Sequence, residues 1–252
     1  MKKLLLSVIA LYTFSVANAQ DEILVNPILS SKGENYLPEM DDWAISFNAD
    51  GIFEYIGNSF NGTADNRGPE VDYVRNNTFV GKMFKSDKKA YRVVANLGFG
   101  SDSDTNPAGA GATEEIKSSA FDVALGLGQE WRKGNTRLQG FYGADALITA
   151  SSNKTKTENF DVDGNFVDSN EFKSGLSLGL GVQGFIGAEY FIFPKFAIGA
   201  QYTYRVGFDL KGKAKTTTQT GTADPVTVDG SKGSSFGLGN VGIASINLTL
   251  HF

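Results

Sequence analysis

Four groups of residues have types and spacings that could do chemistry. Residues 179–184 read GLGVQG, a G-x-G-x-x-G run of Gly179, Gly181 and Gly184. Between a strand and a helix, that spacing lets backbone N–H groups close around a pyrophosphate. Residues 159–171 read NFDVDGNFVDSNE, and Asn159, Asp161, Asp163 and Gly164 match the opening of an EF-hand calcium loop. The match then fails, because Asn170 stands where a bidentate Glu belongs and Glu171 comes one residue late. The single histidine, His251, is the only imidazole available to a catalytic triad or a metal centre, and no pattern selects partners for it. The fourth group is eleven charged residues: Asp50, Glu54, Lys82, Arg92, Asp122, Glu130, Arg132, Arg137, Asp145, Glu189 and Arg205.

What these groups can do depends on the elements that hold them. From Trp43 the chain alternates: Trp43, Ile45 and Phe47 fall on one phase, Ser46, Asn48 and Asp50 on the other. A period of two means strand rather than helix. The same alternation recurs at about 78–85, 90–100, 119–132, 137–149, 175–192, 196–208 and 235–252, so eight strands are predicted. Several reach the 9–11 residues that a tilted strand needs to cross a bilayer. Connections at 85–90, 133–136 and 194–195 are tight, whereas 57–77, 101–118, 150–174 and 209–234 are long and polar. Short turns at one end and long loops at the other is the plan of an outer-membrane barrel.

Charge placement decides which way the barrel faces. The apolar phase of each strand core lacks charge, as in Tyr91, Val93, Ala95, Leu97 and Phe99, or Leu176, Leu178, Leu180 and Val182. All eleven charged residues fall on the other phase. A water-soluble barrel reverses that arrangement, so the apolar side is expected to meet lipid. The interior of an eight-stranded barrel is just wide enough to be filled by side chains. Six acids and five bases there predict a mutually paired plug, because unpaired charges would be costly to bury. Trp43, Tyr91, Trp131, Tyr190 and Phe252 share the outer phase at the short-turn ends, forming one interfacial girdle; Phe53, Tyr55, Phe99, Phe121 and Tyr204 are candidates for the other.

These strands dispose of two motifs. FIGAEYFIF continues the strand period after Gly184, so no helix follows, and position 201 is Gln201 rather than an acid. Gly179 and Gly181 then report a crowded interior rather than a nucleotide. The 159–171 stretch reads as a hairpin turning at Asp163-Gly164.

Composition sets the compartment. Residues 1–19 carry a basic start, a short apolar run and small residues before Gln20, the layout of a cleaved secretory signal. With no cysteine, disulfides and thiolate metal sites are excluded. The formal charge is −5, and loss of Lys2 and Lys3 with the leader makes the chain more acidic, so no nucleic-acid partner is expected. Residues 20–42 lack periodicity and form an N-terminal periplasmic segment, and 43–252 form the barrel.

The stretches GKMFKSDKKAYRVVANLGFG (81–100), ALGLGQEWRKGNTRLQGFYGAD (124–145), GVQGFIGAEYFIFPKFAIGAQYTY (181–204) and SINLTLHF (245–252) carry a family resemblance. They resemble small eight-stranded outer-membrane β-barrel proteins of the porin family, of the Bacteroidota type. The resemblance implies an all-β antiparallel transmembrane barrel with both termini periplasmic. It also implies that Phe252, in phase with Leu250, Leu248 and Ile246, is the signal read by the barrel-assembly machinery. The expected role is in envelope structure or loop-mediated interaction. Alternatives are a narrow porin for small solutes or ions, and an outer-leaflet lipid-modifying enzyme. Expected partners are outer-membrane lipid and lipopolysaccharide, the assembly machinery, and an extracellular or envelope protein. No cofactor, metal or catalytic residue is expected.

Overall fold

The structure, a computed structural model, describes residues 27–49, 78–109, 111–238 and 243–252. The expectations for the leader, for Asp50, Glu54, Phe53 and Tyr55, and for loop 57–77 lie outside the described residues. Regular structure among the described residues is all strand, and no helix is long and apolar enough to cross a membrane.

The described residues form twelve strands: β1 Trp43–Asn48, β2 Thr78–Ser86, β3 Lys89–Pro107, β4 Thr113–Lys133, β5 Leu138–Phe160, β6 Phe166–Lys173, β7 Ser177–Phe193, β8 Phe196–Lys211, β9 Lys215–Thr220, β10 Val226–Asp229, β11 Gly233–Leu238 and β12 Ile243–His251. The count exceeds the eight that alternation predicts. Antiparallel pairing runs β1–β2–β3–β4–β5–β7–β8–β12 and returns to β1, so these strands close a ring. The other strands extend it at one end. There β6 pairs with the upper part of β5, β9 with β6, β10 with β9, and β11 lies along β8 above β12.

Two predicted loops are therefore mostly strand. The stretch 101–118 is mostly the upper part of β3 and β4, which pair up to Pro107 and Thr113, and 150–174 is the upper β5 and β6. The 209–234 loop contains β9 and β10, and of the predicted last strand the described residues form β11 and β12, both paired with β8. The physical reason is solvation. A strand wet on both faces has no apolar phase, so backbone pairing persists where the hydrophobic signal stops.

Sidedness within the ring is sharp. On β4, Leu127 is 69 % exposed on the outer face, whereas Glu130 is 0 % exposed and points into the lumen. Leu180, Ile186, Ile148 and Val93 are likewise exposed, and Lys82, Arg92, Arg132, Asp145 and Glu189 are buried. The short-turn end closes tightly: Asp87-Lys88 links β2 to β3, and Pro194-Lys195 links β7 to β8 with Lys195 at φ 62°.

The segment before β1 is ordered over residues 27–42, where no periodicity suggests order. Pro38 is fully buried. Asp41 N–H donates to the Phe84 carbonyl and Phe84 N–H to the Asp42 carbonyl, each at 2.9 Å. The Asp42 carboxylate also takes the Lys195 ammonium. Backbone hydrogen bonds need no side-chain periodicity, which is why this docking is silent in the sequence.

Candidate functional site

The lumen holds a compact set of ion pairs drawn from five strands. Glu130 on β4 meets Lys82 Nζ at 3.1 Å, Arg92 Nη1 at 2.7 Å and Arg132 Nη1 at 3.4 Å. Glu189 on β7 meets Lys82 Nζ at 2.8 Å and also pairs with Arg132. Asp145 on β5 lies 3.3 Å from Arg92 Nε and accepts from Gln183 Nε2 at 2.9 Å. Three cations and three carboxylates are thus matched, which lets them be desolvated together.

Neutral and aromatic side chains complete the packing. Thr249 donates its hydroxyl to Glu189 at 3.1 Å and sits 3.0 Å from the Ser46 hydroxyl. The Arg92 guanidinium stacks 3.7 Å from the Phe185 ring, and Lys82 lies 5.1 Å from that of Phe141. Those two rings fit because the facing positions are glycine. A Cβ on Gly143 would sit 2.4 Å from Phe185, and one on Gly187 2.5 Å from Phe141. Toward the short-turn end, Arg132 covers Phe84 and Phe191, and His251 packs between those same rings at 5.5 and 5.2 Å. Neither buried His251 ring nitrogen has a hydrogen-bond partner among the described residues, and the imidazole packs among rings. Above the ion pairs lies a cavity of ≈ 200 Å³ of mixed lining, walled by Val80, Val94, Asn96, Gln183, Gln201 and Ser245.

The structure brings Lys82, Arg92, Glu130, Arg132, Asp145 and Glu189 into one network, and leaves out three residues predicted for it. Asp122 is exposed on the wall nearer the long-strand end and makes no ion pair with a described residue. Arg137 lies at the short-turn end, donating to the Phe191 and Ile192 carbonyls and stacking between Tyr36 and Tyr190. Arg205 is half-buried beside Gly181 without an ion-pair partner among the described residues. Phase assigns a side but not a height, and these three sit at other heights. Asp50 and Glu54 lie outside the described residues. Thr249 and Gln183 join the network on the inward phase without a charge to mark them, whereas Phe141 and Phe185 occupy the interior space that the inward glycines leave them.

The remaining candidates are placed as follows. Trp43, Tyr91, Tyr190 and Phe252 are exposed on the outer face, and Trp131 stacks on Tyr142 at 5.8 Å. Gly179 and Gly181 face the lumen: a Cβ would meet Thr149 and Asp209 at 2.3 Å, or Arg205 at 3.0 Å. Gly184 is in the middle of β7 and faces outward. At 159–171 the turn is not the two-residue one predicted. Asp161 and Asn165 close a three-residue loop with Gly164 at φ 79°. The Asp161 carboxylate accepts from the backbone of Asp163 and Asn165 and from the Asn165 side chain, so its oxygens are committed to the turn. Among the described residues no three acidic or histidine side chains are grouped to hold a metal.

No family model matches the chain, and no curated protein matches it. Two solved structures align with it. A major outer membrane protein from Thermus thermophilus shares 12 % identity over 84 % of this chain and 98 % of its own, with a TM-score of 0.30. CarO of Acinetobacter baumannii shares 12 % identity over 87 % of this chain and 99 % of its own, also with a TM-score of 0.30.

Proposed function

We propose that the protein is an eight-stranded transmembrane β-barrel of the outer membrane, closed by an ion-paired plug. It is exported by the 1–19 signal, has both termini in the periplasm, and acts in envelope structure or loop-mediated interaction rather than catalysis. One observation carries this reading: charge is inside and apolar surface outside. An exposed belt including Leu127, Leu180 and Ile186 surrounds a buried Lys82–Glu130–Arg92–Asp145 core. Water would select the opposite arrangement, whereas lipid penalises a mid-depth Lys or Arg by about 2–4 kcal/mol. The exposed rings of Trp43, Tyr91 and Tyr190 near the short turns support one interfacial girdle.

The plug separates this role from that of a narrow porin. Matched charges and the arginine-covered rings of Phe84 and Phe191 support a closed path at the short-turn end. Planar-bilayer recordings of the purified protein are expected to show no stable conductance. Sustained open channels in the unmodified protein would make the narrow porin the better reading. Recovery in the detergent-free soluble periplasmic fraction would overturn the membrane assignment itself.

A further inference from the structure

The outer face carries a second sorting of charge, above the apolar belt. Residues directly opposite each other on neighbouring strands share a face. Register sets Lys154 opposite Lys173, and Lys173 opposite Lys215. Alternation along β5 puts Lys154 on the same side as exposed Ile148, the outer face. The next row outward has Lys117 opposite Lys156 and Lys156 opposite Glu171; the row beyond has Glu115 opposite Glu158. Lys154, Lys173 and Lys215 therefore lie nearest the apolar belt in a row that ends at Asp229, with Glu171, Glu158 and Glu115 farther away.

The acids serve mainly the outer rows. Lys117 pairs with Glu115 at 2.9 Å and Glu158 at 3.5 Å, and Lys156 with Glu158 at 2.8 Å. In the inner row only Lys154 has a partner, Glu171 at 2.9 Å; exposed Lys173 and Lys215 make no ion pair with a described residue. Like charges opposite each other weaken a sheet. Asp229 on β10 stands opposite Lys215 at the end of this row, but its carboxylate pairs with Lys213 at 3.1 Å. Glu171 reaches in from the next row to Lys154 alone, so the three lysines outnumber the acids that serve them and form a site awaiting negative charge.

Directly below, on the same face, is an apolar groove of ≈ 520 Å³ whose walls include Val123, Leu125, Ile148, Leu178 and Leu210. Ala150 stands opposite both Val123 and Leu178, and its small side chain leaves the space open. Lys154 lies four positions beyond Ala150, about 14 Å along the strand. A lysine stem spans part of that distance back toward the groove. Cations above an apolar slot match a phosphorylated headgroup above its acyl chain.

We infer that this face binds a phosphorylated lipid of the surrounding leaflet, with an acyl chain in the groove and phosphate on Lys154, Lys173 and Lys215. The inference rests on the membrane assignment above.

The test uses full-length protein reconstituted into phosphatidylcholine vesicles doped with diphosphorylated lipid A or its dephosphorylated form. Lipid retained after gentle extraction is counted by native mass spectrometry. Wild type is expected to prefer the phosphorylated form. The K154Q/K173Q/K215Q variant should lose on the order of tenfold in retention, the triple Lys→Arg variant should keep it, and K133Q at the opposite end should match wild type. Equal retention of both lipid forms, or retention indifferent to the three lysines in protein that has inserted, would overturn the site alone. Complete displacement by inorganic phosphate would also sink it, since the groove would then add nothing. Wild-type protein that fails to enter the vesicles would overturn the membrane assignment and this site together.

Discussion

The ring and the extension above it are built from the same strands, yet they use ion pairs in opposite ways. Low on β4, Glu130 and Arg132 are buried in a closed network of matched charges. High on the same strand, Glu115 and Lys117 pair at 2.9 Å on a solvent-facing surface. The residue types are alike and the environments are not. Exposed pairs contribute about 0–1 kcal/mol, because water screens them and side-chain entropy opposes them. Breaking a buried pair strands a desolvated charge and costs about 3–5 kcal/mol. The distance between two charges says little about an ion pair's worth until its solvent is known.

The largest break in that comparison is E189A, which removes the carboxylate shared by Lys82 and Arg132. We expect it to lower the unfolding free energy by about 3–5 kcal/mol, read from urea midpoints in detergent micelles or vesicles. A loss under about 1 kcal/mol would mean that water enters the network. Next is L180R, a charge on the outer face of β7. Its expected cost is about 2–4 kcal/mol in a bilayer, whereas an arginine on a water-facing strand would be near neutral. E158Q tests the other side of the comparison, removing the acid shared by Lys117 and Lys156. The hydrogen bond from Lys156 is the first cause holding the Glu158 carboxyl below its ordinary value, which marks a real but exposed interaction. The midpoint should move by no more than about 1 kcal/mol equivalent.

The smallest effect belongs to the Asp161 turn. Hydrogen bonds from the Asn165 backbone and side chain hold this carboxyl below its ordinary value of 3.8. Because the folded pKa is the lower one, the contribution to the hairpin is complete above about pH 4–5. It is lost as pH falls through the folded value. Amide-exchange protection at Asp163 and Asn165 should therefore decline below about pH 4 and be pH-independent there in D161N. Protection that stays flat in the unmodified chain would remove Asp161 from the turn's support.

Alternation made the ring legible where one face is apolar. β2, β7 and β8 differ from their predicted bounds by only a few residues at their ends. It failed in the upper β3, β4 and β5, where Asp102, Lys117 and Lys156 alternate with other polar residues and neither face is dry. For the network, phase puts Lys82, Arg92 and Glu130 opposite the apolar residues of their strands, and all three are buried. It also admitted Arg137, which projects at the ring's edge onto the Phe191 and Ile192 carbonyls instead. Pro38 had no signal at all, since a single buried residue in an aperiodic segment looks like any other.

What the sequence determined by itself is sidedness, because a strand's period of two couples residue number to face without reference to any partner. It determined equally that GLGVQG lies within a strand. Height, register and partnership came only from the tertiary structure. Lys82 reaches Glu189 because separate strands close into a ring, and Lys154, Lys173 and Lys215 align because β6 and β9 pair beyond it. Those are distances across chain segments far apart in number, and no local period encodes them.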